Sequence, residues 1–308
     1  MTSSPDPELE RCLQAAVAQG EASEVLRIAD ELQRGGRFAE ARDLLEKAWA
    51  ALPSEPRIAT RLLDILKRYH GWRRFDEIAS AALDAHPGSS DLWFAVGCGV
   101  EVRRDWTAAC EAFGKAAALA PDEVEPVLRM ARMYRMEGQV TEAIRVLSQS
   151  LRRHPTVAPL HAGLGYAWIQ EERPEKAVRC FRKALEYQPD WQPYLNDLAG
   201  ALMLCERWRE AAEAAMESLR ERKRNERAWT VYAIANARLG DQARAEQGYR
   251  NAVRAAREPG RAKGNYGLFL SRNPERFLEA VRLLQEAREV HPDWDEVGNR
   301  LAQITKRA

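Results

Sequence analysis

The sequence predicts an all-α chain of paired helices stacked on one another, from three features. Apolar residues recur at helical spacing, short breaks separate the runs in pairs, and the whole pattern returns every 34 residues. The stretch 158–191 shows it most clearly. Leu164, Gly165 and Trp168 share one helical face, and Ala177, Phe181 and Ala184 share another. Glu172-Arg173-Pro174 breaks the chain between them, and Pro189 closes the unit. One hairpin cannot bury both stripes alone, so neighbours must lean on each other.

Taken in order, residues 7–19 carry Leu9, Cys12, Leu13, Ala16 and Val17 on one helical face, between Pro5-Asp6 and Gly20. This helix, within 1–21, is read as an amino-terminal cap. Eight units follow: 22–55, 56–89, 90–123, 124–157, 158–191, 192–225, 226–259 and 261–294. The first has Ile28, Ala29 and Leu32, then Gly36-Arg37-Phe38, then Ala41, Leu45, Ala48 and Pro53. The second matches least, with Phe75 where a small residue is expected, though Ala79, Ala82 and Pro87 keep register. The third is strong, with Trp93, Gly97, Ala109, Phe113, Ala116 and Pro121. In the sixth, Lys223 replaces the closing proline, and in the last the first helix is slipped after Gly260. Residues 295–308, with Val297, Leu301 and Ile304 on one side, read as a carboxy-terminal cap. Numbered within a unit, positions 4, 7, 8 and 11 form one stripe and 20, 24 and 27 the other, with small residues at 8, 20 and 27.

The recurrence of small, aromatic and proline positions resembles the tetratricopeptide repeat over 22–259 and 261–294. The resemblance implies a right-handed α-solenoid superhelix of about eight stacked hairpins. It also implies a concave groove lined mainly by first helices, where the family usually holds a peptide or protein partner.

The totals exclude several classes of function. A net charge of +1, with 30% charged residues, argues against a nucleic-acid binder acting through one large basic face. The start, MTSSPDPELERC, lacks a basic-then-apolar leader, and no apolar run reaches the ~18 residues that span a bilayer, so the chain reads as soluble, cytoplasmic and not inserted in a membrane. The five cysteines include no C-x-x-C pair, which points to small buried hydrophobes rather than disulfides or zinc.

No catalytic constellation, metal site or cofactor motif is read: H-E-x-x-H, a P-loop and G-x-S-x-G are all missing. Gly97-Cys98-Gly99 and Gly163-Leu164-Gly165 lie inside helical periodicity and follow no strand. His86, His154 and His291 precede closing prolines, where a helix dipole suits them. The tryptophans fall on recurrent positions, among them Trp93 and Trp229 at 4, Trp106 and Trp208 at 17, and Trp191 and Trp294 at 34, and are read as packing.

The informative residues are those the resemblance places on the concave wall. Arg27, Asp30, Arg61, Asp64 and Lys67 make a mixed, basic-leaning start. Arg129, Arg132 and Arg135 form a one-sided arginine stripe with only Glu125 nearby. The wall then turns small or apolar at Ala162, Gly163, Tyr166, Ile169, Gly200, Met203, Leu204, Val231 and Ile234, with Asn196 among them. These predict a non-enzymatic scaffold or adaptor binding a peptide or protein segment with acidic and apolar side chains. The carboxylate clamp known in the family is absent, since Leu26 and Asp30 already break its pattern. Two alternatives stand beside this reading: an RNA-binding helical array, disfavoured by the charge balance, and a regulatory or peptide-sensing subunit of a separately encoded enzyme. The basic stretch Arg220–Arg227 reads as a solvated turn between units.

Overall fold

The structure, a computed structural model, describes residues 22–306. The predicted cap at 1–21 lies outside the described residues. The chain forms two compact units divided after Pro155. In the first, α1 (Ala22–Arg34) pairs with α2 (Phe38–Ala51), α3 (Pro56–Arg68) with α4 (Trp72–Ala85), α5 (Ser90–Val102) with α6 (Trp106–Leu119), and α7 (Glu125–Met136) with α8 (Val140–Arg153). In the second, the pairs are α9 (Ala158–Gln170) with α10 (Pro174–Tyr187), α11 (Gln192–Leu204) with α12 (Trp208–Glu221), and α13 (Glu226–Arg238) with α14 (Gln242–Ala255). A last hairpin joins α15 (Gly260–Leu270) to α16 (Phe277–Val290) through a 3-10 turn at Pro274–Arg276, and α17 (Asp295–Thr305) packs on α16. Every regular element among the described residues is helical, and each unit is a stack of helical hairpins.

Local chemistry sets the ends of these helices. Prolines occupy the first turn of α3, α7, α9, α10 and α11, where no intrahelical N–H partner is lost. Side chains of Ser89, Asp105, Asn225 and Asp241 accept the orphan N–H groups of α5, α6, α13 and α14. Within the first seven repeats, the turn between paired helices always places position 15 in the left-handed region. Glycine fills it at Gly36, Gly138 and Gly240, while His70, Arg104, Glu172 and Glu206 adopt φ of 55°, 62°, 55° and 56°. Non-glycine residues there carry steric strain between Cβ and the backbone.

Packing follows the predicted alternation of large and small. Phe113 and Phe181, both essentially unexposed, lie on Gly97 and Gly165, where a Cβ would come within 2.7 and 2.8 Å of the rings. The misfit at Phe75 has a matching concession: its ring, fully buried, lies on Gly99 of the next hairpin, where a Cβ would stand 2.1 Å from Cζ. Burying each such ring contributes roughly 1.5–3 kcal/mol. At the slipped hairpin the small residues move with the helix, so Gly264 takes the Trp294 ring and Gly267 takes Leu284.

Polar ties join successive hairpins. His86 Nε2 and His154 Nε2 lie 3.0 and 3.2 Å from the carbonyls of Pro53 and Pro121 in the preceding repeat. These histidines therefore staple repeats, a more specific role than the helix-dipole placement expected of them. Trp93 and Trp229 donate Nε1–H to the carbonyls of Pro87 (2.9 Å) and Lys223 (2.8 Å), so the missing proline at Lys223 leaves this tie intact. Trp191 departs from the packing expectation, being 52% exposed beside Tyr194.

Candidate binding surface

In the first unit the predicted wall residues sit on α1, α3, α5 and α7. Arg61 Nη2 reaches Asp30 Oδ1 at 2.8 Å, joining position 6 of one repeat to position 9 of the one before. Glu101, in the last turn of α5, bridges two residues of the arginine stripe on α7. Its carboxylate lies 3.1 Å from Arg129 Nη1 and 3.0 Å from Arg132 Nη1, and its side chain is 11% exposed. Arg129 also donates Nε–H to Glu125 at 2.9 Å. Burial lowers the Arg129 pKa, but its bond to Glu125 and the Glu101 charge outweigh that and raise it. Arg135 is half-buried on the same helix. The stripe is thus not one-sided: Glu101 was missed because its partners lie 28 and 31 residues away, across the repeat boundary. A depression of about 310 Å³ opens here, with Val102 and Met136 on its rim and Arg104 at its mouth. Burial pushes the Cys98 thiol in its wall upward.

In the second unit, three successive first helices meet at one carboxylate. Tyr166 of α9 donates its hydroxyl to Asp197 Oδ2 of α11, and Arg227 Nη2 of α13 lies 3.1 Å from Asp197 Oδ1. Asp197 is 7% exposed whereas the Arg227 side chain is 62% exposed. Burial, then the bond to Asp197, pushes the Tyr166 phenol well above its ordinary range. Gly200 leaves room beside this cluster, since a Cβ there would lie 3.6 Å from the Arg227 guanidinium. Asn196 is engaged, accepting from Ser218 Oγ at 2.9 Å and from Asn225 Nδ2 at 3.0 Å.

The apolar wall expected on α9, α11 and α13 is largely turned inward. Val231 and Ala162 are buried, and Ile169, Met203 and Ile234 are half-buried against the core. Gly163 is half-buried, while Leu204 keeps 60% of its surface exposed. Tight hairpin stacking covers side chains that a lone helix would expose. Sequence reasoning also missed a depression of about 670 Å³ between α12 and α13, lined by Met216, Tyr232 and Leu239 together with Arg209, Arg220 and Arg244 and the carboxylates of Glu213, Glu217 and Asp241. Exposed Met216 and Leu239 were its available signal. Of the basic stretch Arg220–Arg227, residues 222–224 form an exposed turn, whereas Arg220 lies in α12, Asn225 is half-buried and caps α13, and Glu226 and Arg227 begin α13.

A tetratricopeptide-repeat family model matches residues 134–202. Residues 134–202 thus carry tetratricopeptide-repeat sequence, and the helical hairpins on either side of them share that repeat's fold. Mouse protein O-mannosyl-transferase TMTC3 is 24% identical over 197 residues, covering 59% of this chain and 21% of that protein. The chain thus corresponds to about a fifth of that relative's length. The crystal structure of the APC/C hetero-tetramer Cut9–Hcn1 is similar with a TM-score of 0.59 and 16% identity, covering 96% of this chain and 58% of that one. The human IFIT1 dimer with m7Gppp-AAAA is similar with a TM-score of 0.59 and 15% identity, covering 97% and 76%. At these identities the structural likeness establishes the fold alone.

Among the described residues, no group of three or more His, Cys, Asp or Glu side chains is placed to hold a metal ion. No helix among them is long and apolar enough to cross a membrane.

Proposed function

We propose that this chain is a non-enzymatic, cytoplasmic scaffold or adaptor that binds a protein or peptide segment on the first-helix faces of its eight repeats. One observation carries the reading. Arg132 and Arg227 are 60% and 62% exposed, yet each is anchored by a carboxylate that is only 11% or 7% exposed. A guanidinium held from behind and open in front is pre-organised for a ligand carboxylate, because less side-chain freedom is lost on binding. Arg61, Arg129, Arg135, Gly163, Tyr166, Ile169, Asn196, Gly200, Met203, Val231 and Ile234 complete the proposed surface, with the buried members acting as its floor. Cut9, which shares this fold, is found in a hetero-tetramer with Hcn1, which is consistent with a role in protein contacts.

The test is affinity capture from the native host with the full chain, compared with Arg129→Glu/Arg132→Glu/Arg135→Glu and with Arg227→Glu. The proposal expects specific protein partners to be lost from at least one variant while far-ultraviolet circular dichroism keeps the same helicity. Unchanged capture by both folded variants rejects it, and capture abolished by ribonuclease favours the RNA-binding alternative.

A further inference from the structure

We propose that the depression between α5 and α7 is a subsite for an acidic, amphipathic peptide segment, in which one aliphatic side chain is seated between flanking carboxylates. This rests on the first-helix reading above and assigns it a place and a ligand chemistry. Two independent features point there. The first is charge: Lys67, Arg104, Arg129 and Arg132 line the depression with the carboxylate of Glu101, and although Asp64 pairs with Lys67 and Glu125 with Arg129, Arg104 and the outer edge of Arg132 remain for a ligand. Glu101 engages Arg129 and Arg132 from within the wall, and its near burial leaves the outer edge of Arg132 to solvent. Arg104 carries no ion pair among the described residues, and it occupies the strained left-handed turn position at φ 62°, where glycine would be cheaper.

The second feature is an apolar seat of limited size. Val102 and Met136 are 49% and 56% exposed at the ends of two successive first helices, and buried Met133 and half-buried Trp106 line the same depression. Thioethers adapt to aliphatic side chains of differing shape. At about 310 Å³ the space lies at the small end of ligand pockets, suiting side chains of a chain that continues past it. A single-stranded nucleic acid asks instead for open aromatic platforms along a basic track. Here the one tryptophan is half-buried and a carboxylate forms part of the wall.

The experiment pans a displayed random dodecapeptide library on the full chain, then measures the enriched peptide, fluorescently labelled, by anisotropy. Expected are sequences with Leu, Ile, Met or Phe flanked by Asp or Glu, and binding that weakens with added salt. Arg104→Gly/Arg132→Gln should weaken the probe about tenfold, the loss of two charge-assisted contacts. The glycine suits the turn and offsets the lost Arg132–Glu101 pair, so this variant should melt close to the parent, and equal helicity by circular dichroism confirms that it is folded. Met136→Ser should weaken the probe several-fold while a basic control peptide stays unbound. Enrichment of basic or uncharged peptides overturns the proposal. So does an acidic probe insensitive to Arg104→Gly/Arg132→Gln, and if that probe is lost with Arg227→Glu, the first-helix reading survives without this subsite. A labelled twelve-nucleotide oligoadenylate that binds where no peptide does overturns both.

Discussion

Gly99→Ala probes how the hairpins fit. A Cβ at this position would stand 2.1, 2.6 and 2.8 Å from three carbons of the Phe75 ring. Carbon atoms rest about 3.5–4.0 Å apart, so the ring must retreat on the order of 1 Å. It has little freedom to do so: Phe75 is 0% exposed and packs edge-on against Trp72 with centroids 5.9 Å apart. Two effects compete. Helix propensity favours alanine over glycine by about 1 kcal/mol, and overpacking costs about 1–3 kcal/mol. Because the clash is with a confined ring and not a flexible chain end, packing should win, for a net loss of about 1–2 kcal/mol. Phe75→Leu alone should also destabilise, by roughly 1 kcal/mol. In the double variant the smaller side chain at position 75 relieves part of the clash, so the two losses should fall short of additive by about 1 kcal/mol. Urea unfolding followed by circular dichroism reads the totals, and amide exchange within α5 localises them, since stacked repeats open locally. A higher urea midpoint for Gly99→Ala, or strict additivity, would refute the reasoning.

Three further predictions concern stability and reactivity. At the turn position, glycine in place of Glu172 or Glu206 should stabilise by about 0.5–1 kcal/mol each, and alanine in place of Gly36 or Gly240 should destabilise by a similar amount, read from thermal midpoints; nothing lies within 4 Å of a Cβ at either glycine, so the latter effect is one of backbone alone. Burial raises the Glu246 pKa, but bonds from Tyr266 (3.0 Å) and Arg276 (3.2 Å) prevail and hold it below the ordinary carboxylate range. A depressed carboxylate contributes stability above its unfolded pKa and loses it as pH falls through the folded value. Glu246→Gln should therefore melt lower than the parent at pH 7, with the gap closing below about pH 4; a gap independent of pH contradicts this. Burial pushes the Cys110 and Cys180 thiols up to about 12 and about 11. At pH 8 iodoacetamide should modify them on the order of a hundredfold more slowly in the folded than in the unfolded chain, as followed by mass spectrometry.

The all-α hairpin fold was legible in the sequence because side-chain size at fixed positions is itself the packing instruction. Gly97 under Phe113 and Gly165 under Phe181 could be read directly from the period. Phe75 looked like a defect because its compensation, Gly99, lies in the next repeat at a position with no assigned role. The same blindness to neighbours hid Glu101 behind Arg129 and Arg132, and Tyr166 and Arg227 around Asp197. Periodicity marks which face a residue takes, but how much of it stays open depends on how closely the next hairpin approaches. That is why Val231, read as wall, is buried while Leu204 is not. The left-handed turn was signalled at Gly36, Gly138 and Gly240 and masked at Arg104 by a residue type that rarely adopts it.

The most direct test of the account is hydrogen–deuterium exchange of the full chain with and without the library-selected acidic peptide, resolved to single helices. The account predicts slowed exchange in α5 and α7, with α6 and α8 unchanged. Protection centred on the second helices, or on the depression between α12 and α13, would contradict it.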